Sequence, residues 1–190
     1  PVPDYVHFHR VRFQVIFCKR GWVRVAYEDQ GEPILMQAGD CVLQPPEIRH
    51  RVLEASDGME VLEIGCPAIH ETHGDPDVTL PTGAHLPERD YLGQKFVNHV
   101  AANASWAPAR LSGFEARDTG IAWATAGLCG VRVLRPTSGT FNPDPQVVGA
   151  PGAHSGEFAF LFVLSGSTHM RSQALGDHVL HAGDSCVLPA

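Results

Sequence analysis

The sequence predicts an all-β protein made of two β-barrels in tandem, and three observations carry that prediction. Short apolar, β-rich segments alternate with Gly, Pro, Asp and Ser through residues 5–64, and again from Leu111 onward. No segment sustains a helical periodicity. The second block also repeats the first. A shift of 145 places His9 on His154, Phe13 on Phe158, Phe17 on Phe162 and Gly21 on Gly166. A shift of 144 then places Ala38-Gly39-Asp40 on Ala182-Gly183-Asp184. One residue deleted from the intervening hairpin accounts for the change.

Taken in order, Tyr5 to Gly21 (YVHFHRVRFQVIFCKRG) opens the β region, with Phe13 to Phe17 as an apolar strand. Trp22 to Tyr27 alternates, EDQGEP turns the chain at Gly31 and Pro33, and Ile34 to Met36 returns. Cys41 to Leu43 is a short apolar strand entered through Gly39-Asp40 and left through Pro45-Pro46. His50 to Leu53 and Met59 to Ile64 follow, separated by the turn Ser56-Asp57-Gly58. From Cys66 to about Pro108 the chain is polar and punctuated by proline, as a connection lying over a surface would be. Ile121 to Ala126, Gly130 to Leu134 and Phe158 to Leu164 read as strands of the second half. The expected division is an N-terminal barrel over 1–66, a linker over 67–109 and a C-terminal barrel over 110–190. Only six residues precede the first histidine, and Gly183 to Ala190 stop within a strand pattern. Early strands of the first barrel and the end of the second are therefore expected to lie outside this stretch.

Composition narrows the function. At 190 residues, with 44% hydrophobic and 18% charged side chains, the chain can bury a core. A net charge of −7 argues against nucleic acid or an anionic membrane as the main partner. No apolar run approaches the roughly 18–20 residues of a membrane span, and no secretory-signal pattern opens the chain. Cys18, Cys41, Cys66, Cys129 and Cys186 are widely spaced and form no CxxC, so reduced thiols in a cytoplasmic protein are expected.

The chemistry concentrates on His7 and His9. Side chains at i and i+2 of a strand share a face, so this pair presents two imidazoles together. Gln14, Gly21 and the Gly-Pro-His run at 39–50 extend the pattern, and a barrel holding one metal near its axis follows as the working expectation. His70, His73, Asp75 and Asp77 carry ligand chemistry too, but their setting, broken by Gly and Pro, reads as a solvated loop.

These residues resemble the cupin superfamily. Its first motif contains HxH(x)3–4E(x)6G; His7, His9, Gln14 and Gly21 fall on those positions, with four and six residues in the two gaps. Its second motif runs G(x)5PxG(x)2H(x)3N; Gly39, Pro45 and His50 match it, with 17 residues between Gly21 and Gly39. The resemblance covers residues 5–66 well and 110–190 more loosely. It implies two tandem double-stranded β-helix, or jelly-roll, barrels: a bicupin. Three departures stand out. Gln14 replaces the usual Glu, Glu47 the second-motif Gly, and Glu54 its Asn. With Gln14 the centre is three neutral imidazoles plus an amide, placed in or just outside the coordination sphere. In the second copy Gly152 replaces His7 and Ala159 replaces Gln14, leaving His154 of the set, so a barrel without metal is expected there.

The resemblance implies one divalent transition metal held by His7, His9, Gln14 and His50. Fe(II) is favoured, and Zn, Ni, Mn, Co and Cu are compatible with imidazole. It also implies a dioxygenase-like enzyme acting on a small anionic or enolisable substrate, and a homodimer. Two alternatives differ in class: a small-molecule sensor without catalysis, and a non-redox metal-dependent isomerase or lyase. Ile16, Cys18 and Val52 would line the pocket by strand parity, and Arg12, Arg24 and Arg51 are candidate carboxylate clamps.

Overall fold

The computed structural model describes residues 5–137, 154, 156–172 and 176–189. The chain divides into two compact units, 1–141 and 142–190. Among the described residues both are built on antiparallel strands, so the all-β expectation holds.

In the first unit nine strands come in order: β1 (His7–Arg10), β2 (Phe13–Arg20), β3 (Trp22–Tyr27), β4 (Ile34–Gln37), β5 (Cys41–Gln44), β6 (His50–Ala55), β7 (Glu60–Cys66), β8 (Glu71–Gly74) and β9 (Val97–His99). They divide between two sheets, one ordered β4-β3-β6-β1-β8 and the other β7-β2-β5-β9. A third, small sheet follows from β10 (Ala107–Pro108), β11 (Phe114–Asp118) and β12 (Arg132–Pro136), with the short helix α1 (Ile121–Ala124) between the last two.

The four-stranded sheet is buried on both faces, which is why β2 and β5 read as nearly unbroken apolar runs. Cys18 and Val42 project inward and share a core with Val23, Val25, Tyr27 and Met36 of the five-stranded sheet; Ile16 and Val52 pack against it. The opposite parity, Phe13, Val15, Phe17, Cys41 and Leu43, faces outward and is covered by Ile121 and Ala124 of α1 with Val131 and Val133. Residues 110–136, grouped by sequence with the second half, thus shield an apolar face of the first unit. The segment 67–109, expected as a linker, supplies β8 to one sheet and β9 to the other, and buries Leu80 and Tyr91. Such hydrogen-bonding partners are far apart in sequence, and composition alone carries no trace of them.

Ile121 to Ala126, expected as a strand, begins instead as a helical turn. Gly120 enters it at φ 78°, its amide donating to Asp118 Oδ1 at 2.9 Å. A four-residue apolar run has too few residues for its period to separate helix from strand. No helix among the described residues is long and apolar enough to cross a membrane. All five cysteines are free thiols, Cys18 and Cys41 fully buried.

The second unit contains β13 (Phe158–Phe162), β14 (Ser167–Ser172), β15 (Gly176–His181) and β16 (Ser185–Pro189). Their pairing reproduces β2 to β5. Phe17 opposite Cys41 becomes Phe162 opposite Ser185, and Trp22 opposite Gln37 becomes Ser167 opposite His181. The second of these pairs spans one residue fewer, in keeping with the deleted hairpin residue. The turns match bond for bond. Asp40 accepts the Gln37 amide at 2.7 Å as Asp184 accepts that of His181 at 2.8 Å. Gly39 and Gly183 carry φ of 97° and 95°, a left-handed conformation that glycine adopts without the clash a Cβ would bring. The repeat read from sequence is therefore a repeat of strand register and turn geometry.

Candidate metal centre

Antiparallel pairing places His7 of β1 directly opposite His50 of β6. Directly opposed residues on one face are close neighbours, and these two rings lie 4.3 Å apart, centroid to centroid. His9, two residues on, shares the face at 5.1 Å from His7 and 5.2 Å from His50. One nitrogen from each ring lies within 4.8 Å of the others, and the three can hold a metal ion. Among the described residues this is the group that meets that criterion.

The donor set fits such an ion. His7 Nδ1 contacts the Tyr5 carbonyl at 3.0 Å and His50 Nδ1 the Ile48 carbonyl at 3.1 Å. Carbonyl oxygen only accepts, so both rings carry the proton on Nδ1 and keep the Nε2 lone pair. His9 Nδ1 is engaged by Thr72 Oγ1 at 2.9 Å across the β1–β8 pair, again leaving Nε2. Burial, reinforced by the His7 ring, holds His50 down at about 3 and His9 at about 4. Both are neutral ligands at neutral pH.

Those depressed values make the metal-free protein acid-sensitive. The unfolded chain takes up protons below the ordinary histidine value of 6.5, whereas the folded chain does not until pH falls to about 4 and 3. The histidine contribution to stability is thus complete above pH 6.5 and erodes as pH falls below it. One such group contributes a slope of at most about 1.4 kcal/mol per pH unit. Thermal melts in chelator should show a falling Tm between pH 6.5 and 5, above the range where carboxylates protonate. A flat profile there would contradict the assignment.

Facing the histidines, the four-stranded sheet presents polar groups. Gln14 is 2% exposed and pairs with Gln44 across β2 and β5. Tyr27 donates to Gln44 Oε1 at 2.7 Å, Gln44 Nε2 donates to Gln14 Oε1 at 3.0 Å, and Gln14 Nε2 donates to Glu63 Oε1 at 2.6 Å. Every bond in this chain runs the same way and ends on a carboxylate, which fixes the orientation of both amides. Gln44 Nε2 also lies 3.4 Å from His50 Nε2, joining the two sets. Burial, and then the Glu63 charge, pushes the Tyr27 hydroxyl far up, so it stays protonated and remains a donor.

Of the residues read from the sequence, His7, His9 and His50 come together and Gln14 lies on the facing sheet, while Tyr27, Gln44 and Glu63 are not among them. Gln44 ends an apolar strand, and a lone polar residue there was the available signal. Glu63 alternates with apolar neighbours as any solvent-facing strand residue would. His70 also reaches the site, its ring 5.3 Å from His9, whereas His73 stacks on Phe8 and Asp75 pairs with Arg49 at 2.8 Å. His70 thus stays in the loop before β8, beside the cluster but outside the group of nitrogens that can hold an ion.

The three candidate carboxylate clamps, Arg12, Arg24 and Arg51, lie elsewhere, and so does Glu54. The register of β3 with β6 shifts between Arg24 and Val25, where Leu53 is the extra residue. That bulge turns Glu54 onto the outer face, where it pairs at 3.0 Å with Arg24, which points outward between the inward Val23 and Val25. Arg51 sits opposite Ala26 on that same outer face, and Arg12 is exposed in the turn after β1. Glu47 has φ 63°, the left-handed region where the motif glycine would be at ease, and forms an ion pair with Arg10 at 3.4 Å.

In the second unit Ala159 and Leu188 occupy the register of Gln14 and Gln44, and His154 is exposed. Gly152 lies outside the described residues. No protein-family model and no curated protein matches this chain. Fold and site together define an all-β protein with a three-histidine cluster able to hold a metal ion.

Proposed function

We propose that the chain is a bicupin whose first barrel binds one divalent transition metal, and that it is a non-haem, dioxygenase-like enzyme for a small anionic or enolisable substrate. The observation that carries this is the His7-His9-His50 cluster, with one nitrogen of each ring within 4.8 Å of the others and Nδ1 of each ring held by a hydrogen-bond partner. When bound, the metal would supply Lewis acidity and, as Fe(II), O2 activation. The protein's part is to hold three imidazoles rigid, to bury His7 and His50, and to present the Gln44–Gln14–Glu63 chain opposite them. Ile16, Val52 and the buried Cys18 give the inner surface an apolar lining that excludes water. With Arg24 and Arg51 on the outer face, an anionic substrate would be attracted by the metal itself.

Reconstitution with Fe(II) under anaerobic conditions, followed by O2-uptake measurements with β-diketone and catechol panels, tests the proposal. About one metal per chain and O2 consumption with one class support it. Metal binding with no O2 uptake, while a ligand still raises Tm, would replace it with the sensor reading. Turnover without O2 would favour the isomerase or lyase.

A further inference from the structure

A site of three neutral imidazoles lacks the negative charge that a glutamate at position 14 would provide. The carboxylate nearest to that position comes from the neighbouring strand. In β7, Glu63 pairs with Ile16, two residues along the inward face from Gln14, and accepts from Gln14 Nε2 at 2.6 Å. Gln14 is buried and bonded at both ends of its amide, so it relays between the carboxylate and Gln44, which in turn touches His50. A glutamate at 14 would instead set two carboxylates against each other.

We infer that Glu63, acting through the Gln14 amide, is the residue that supplies the negative charge of the centre formed by His7, His9 and His50. This rests on the metal-site reading above. Glu63 is a positioning residue: it is linked to His50 through two residues, Gln14 and Gln44, orients Gln14 so that the amino group faces it, and offsets the charge of a bound cation. Carboxylates in such outer positions typically change metal affinity by about 10–100-fold.

The test is a competition titration of the full chain with Zn(II) or Co(II) against a chromophoric chelator, comparing three proteins. Glu63→Gln keeps an oxygen that accepts from Gln14 and removes only the charge; its affinity should fall about tenfold. Gln14→Glu/Glu63→Gln moves the carboxylate one position inward and should bring affinity back towards wild type, a rescue that a purely structural role would not produce. Thermal melts of the metal-free variants check folding. Wild-type affinity in Glu63→Gln, or no recovery in the double variant, would overturn the inference while leaving the metal site standing. A wild-type chain that binds neither ion would overturn the site itself.

Discussion

Replacing His50 with alanine should lower bound transition metal by an order of magnitude or more. His50 is 5% exposed, its Nδ1–H is committed to the Ile48 carbonyl, and its ring lies 4.3 Å from that of His7 and 5.2 Å from that of His9. Removing one of three strong ligands leaves two imidazoles, too few to compete with water for a divalent ion. The measurement is metal per chain by elemental analysis after reconstitution and desalting. His9→Ala, at a less buried ring, should give the same loss and guards against a His50 variant that fails to fold. His154→Ala is the control and should change loading little, because the register around it carries Ala159 and Leu188 where the first unit has two glutamines. Undiminished loading in both His50→Ala and His9→Ala would remove the site assignment.

The second large effect lies in the fold. Leu43→Ala should destabilise the protein by about 2–5 kcal/mol. Leu43 is fully buried in β5, an inner strand of the four-stranded sheet, on the face covered by Ile121 and Ala124. The sheet is held by backbone bonds and cannot close over the missing atoms, so both transfer energy and cavity cost are lost. Urea denaturation should show a lower midpoint with an unchanged slope. A cost under about 1 kcal/mol would mean that α1 and the residues after it do not seal this face, since surface substitutions typically fall within that range.

Much of this was legible in the residues themselves. Spacing of two put His7 and His9 on one face, and the glycines at 21 and 39 marked backbone that turns through positive φ. The repeated spacing told of two copies, and the strand pairs reproduce it with the same one-residue change. Glu47 is instructive because the motif position it occupies does have the left-handed backbone for which glycine is suited. These features are local, or depend on spacing along one chain, and spacing survives in sequence.

What remained hidden depends on which strands become neighbours. The bulge at Leu53 reverses the face of Glu54, and nothing in His50 to Ala55 announces it, because a bulge is a mismatch between two strands. Glu63 is solvent-exposed, as its alternation suggests, and only the pairing of β7 with β2 also sets its carboxylate against Gln14. Residues 67–109 read as a connection because short polar strands have little signature until a sheet edge recruits them. Sequence by itself determined the β class, the repeat and the three histidines, through local propensity and periodicity. Only tertiary structure decided what faces those histidines: two oriented glutamines and a carboxylate brought in by non-local hydrogen bonding, whose register no single strand encodes.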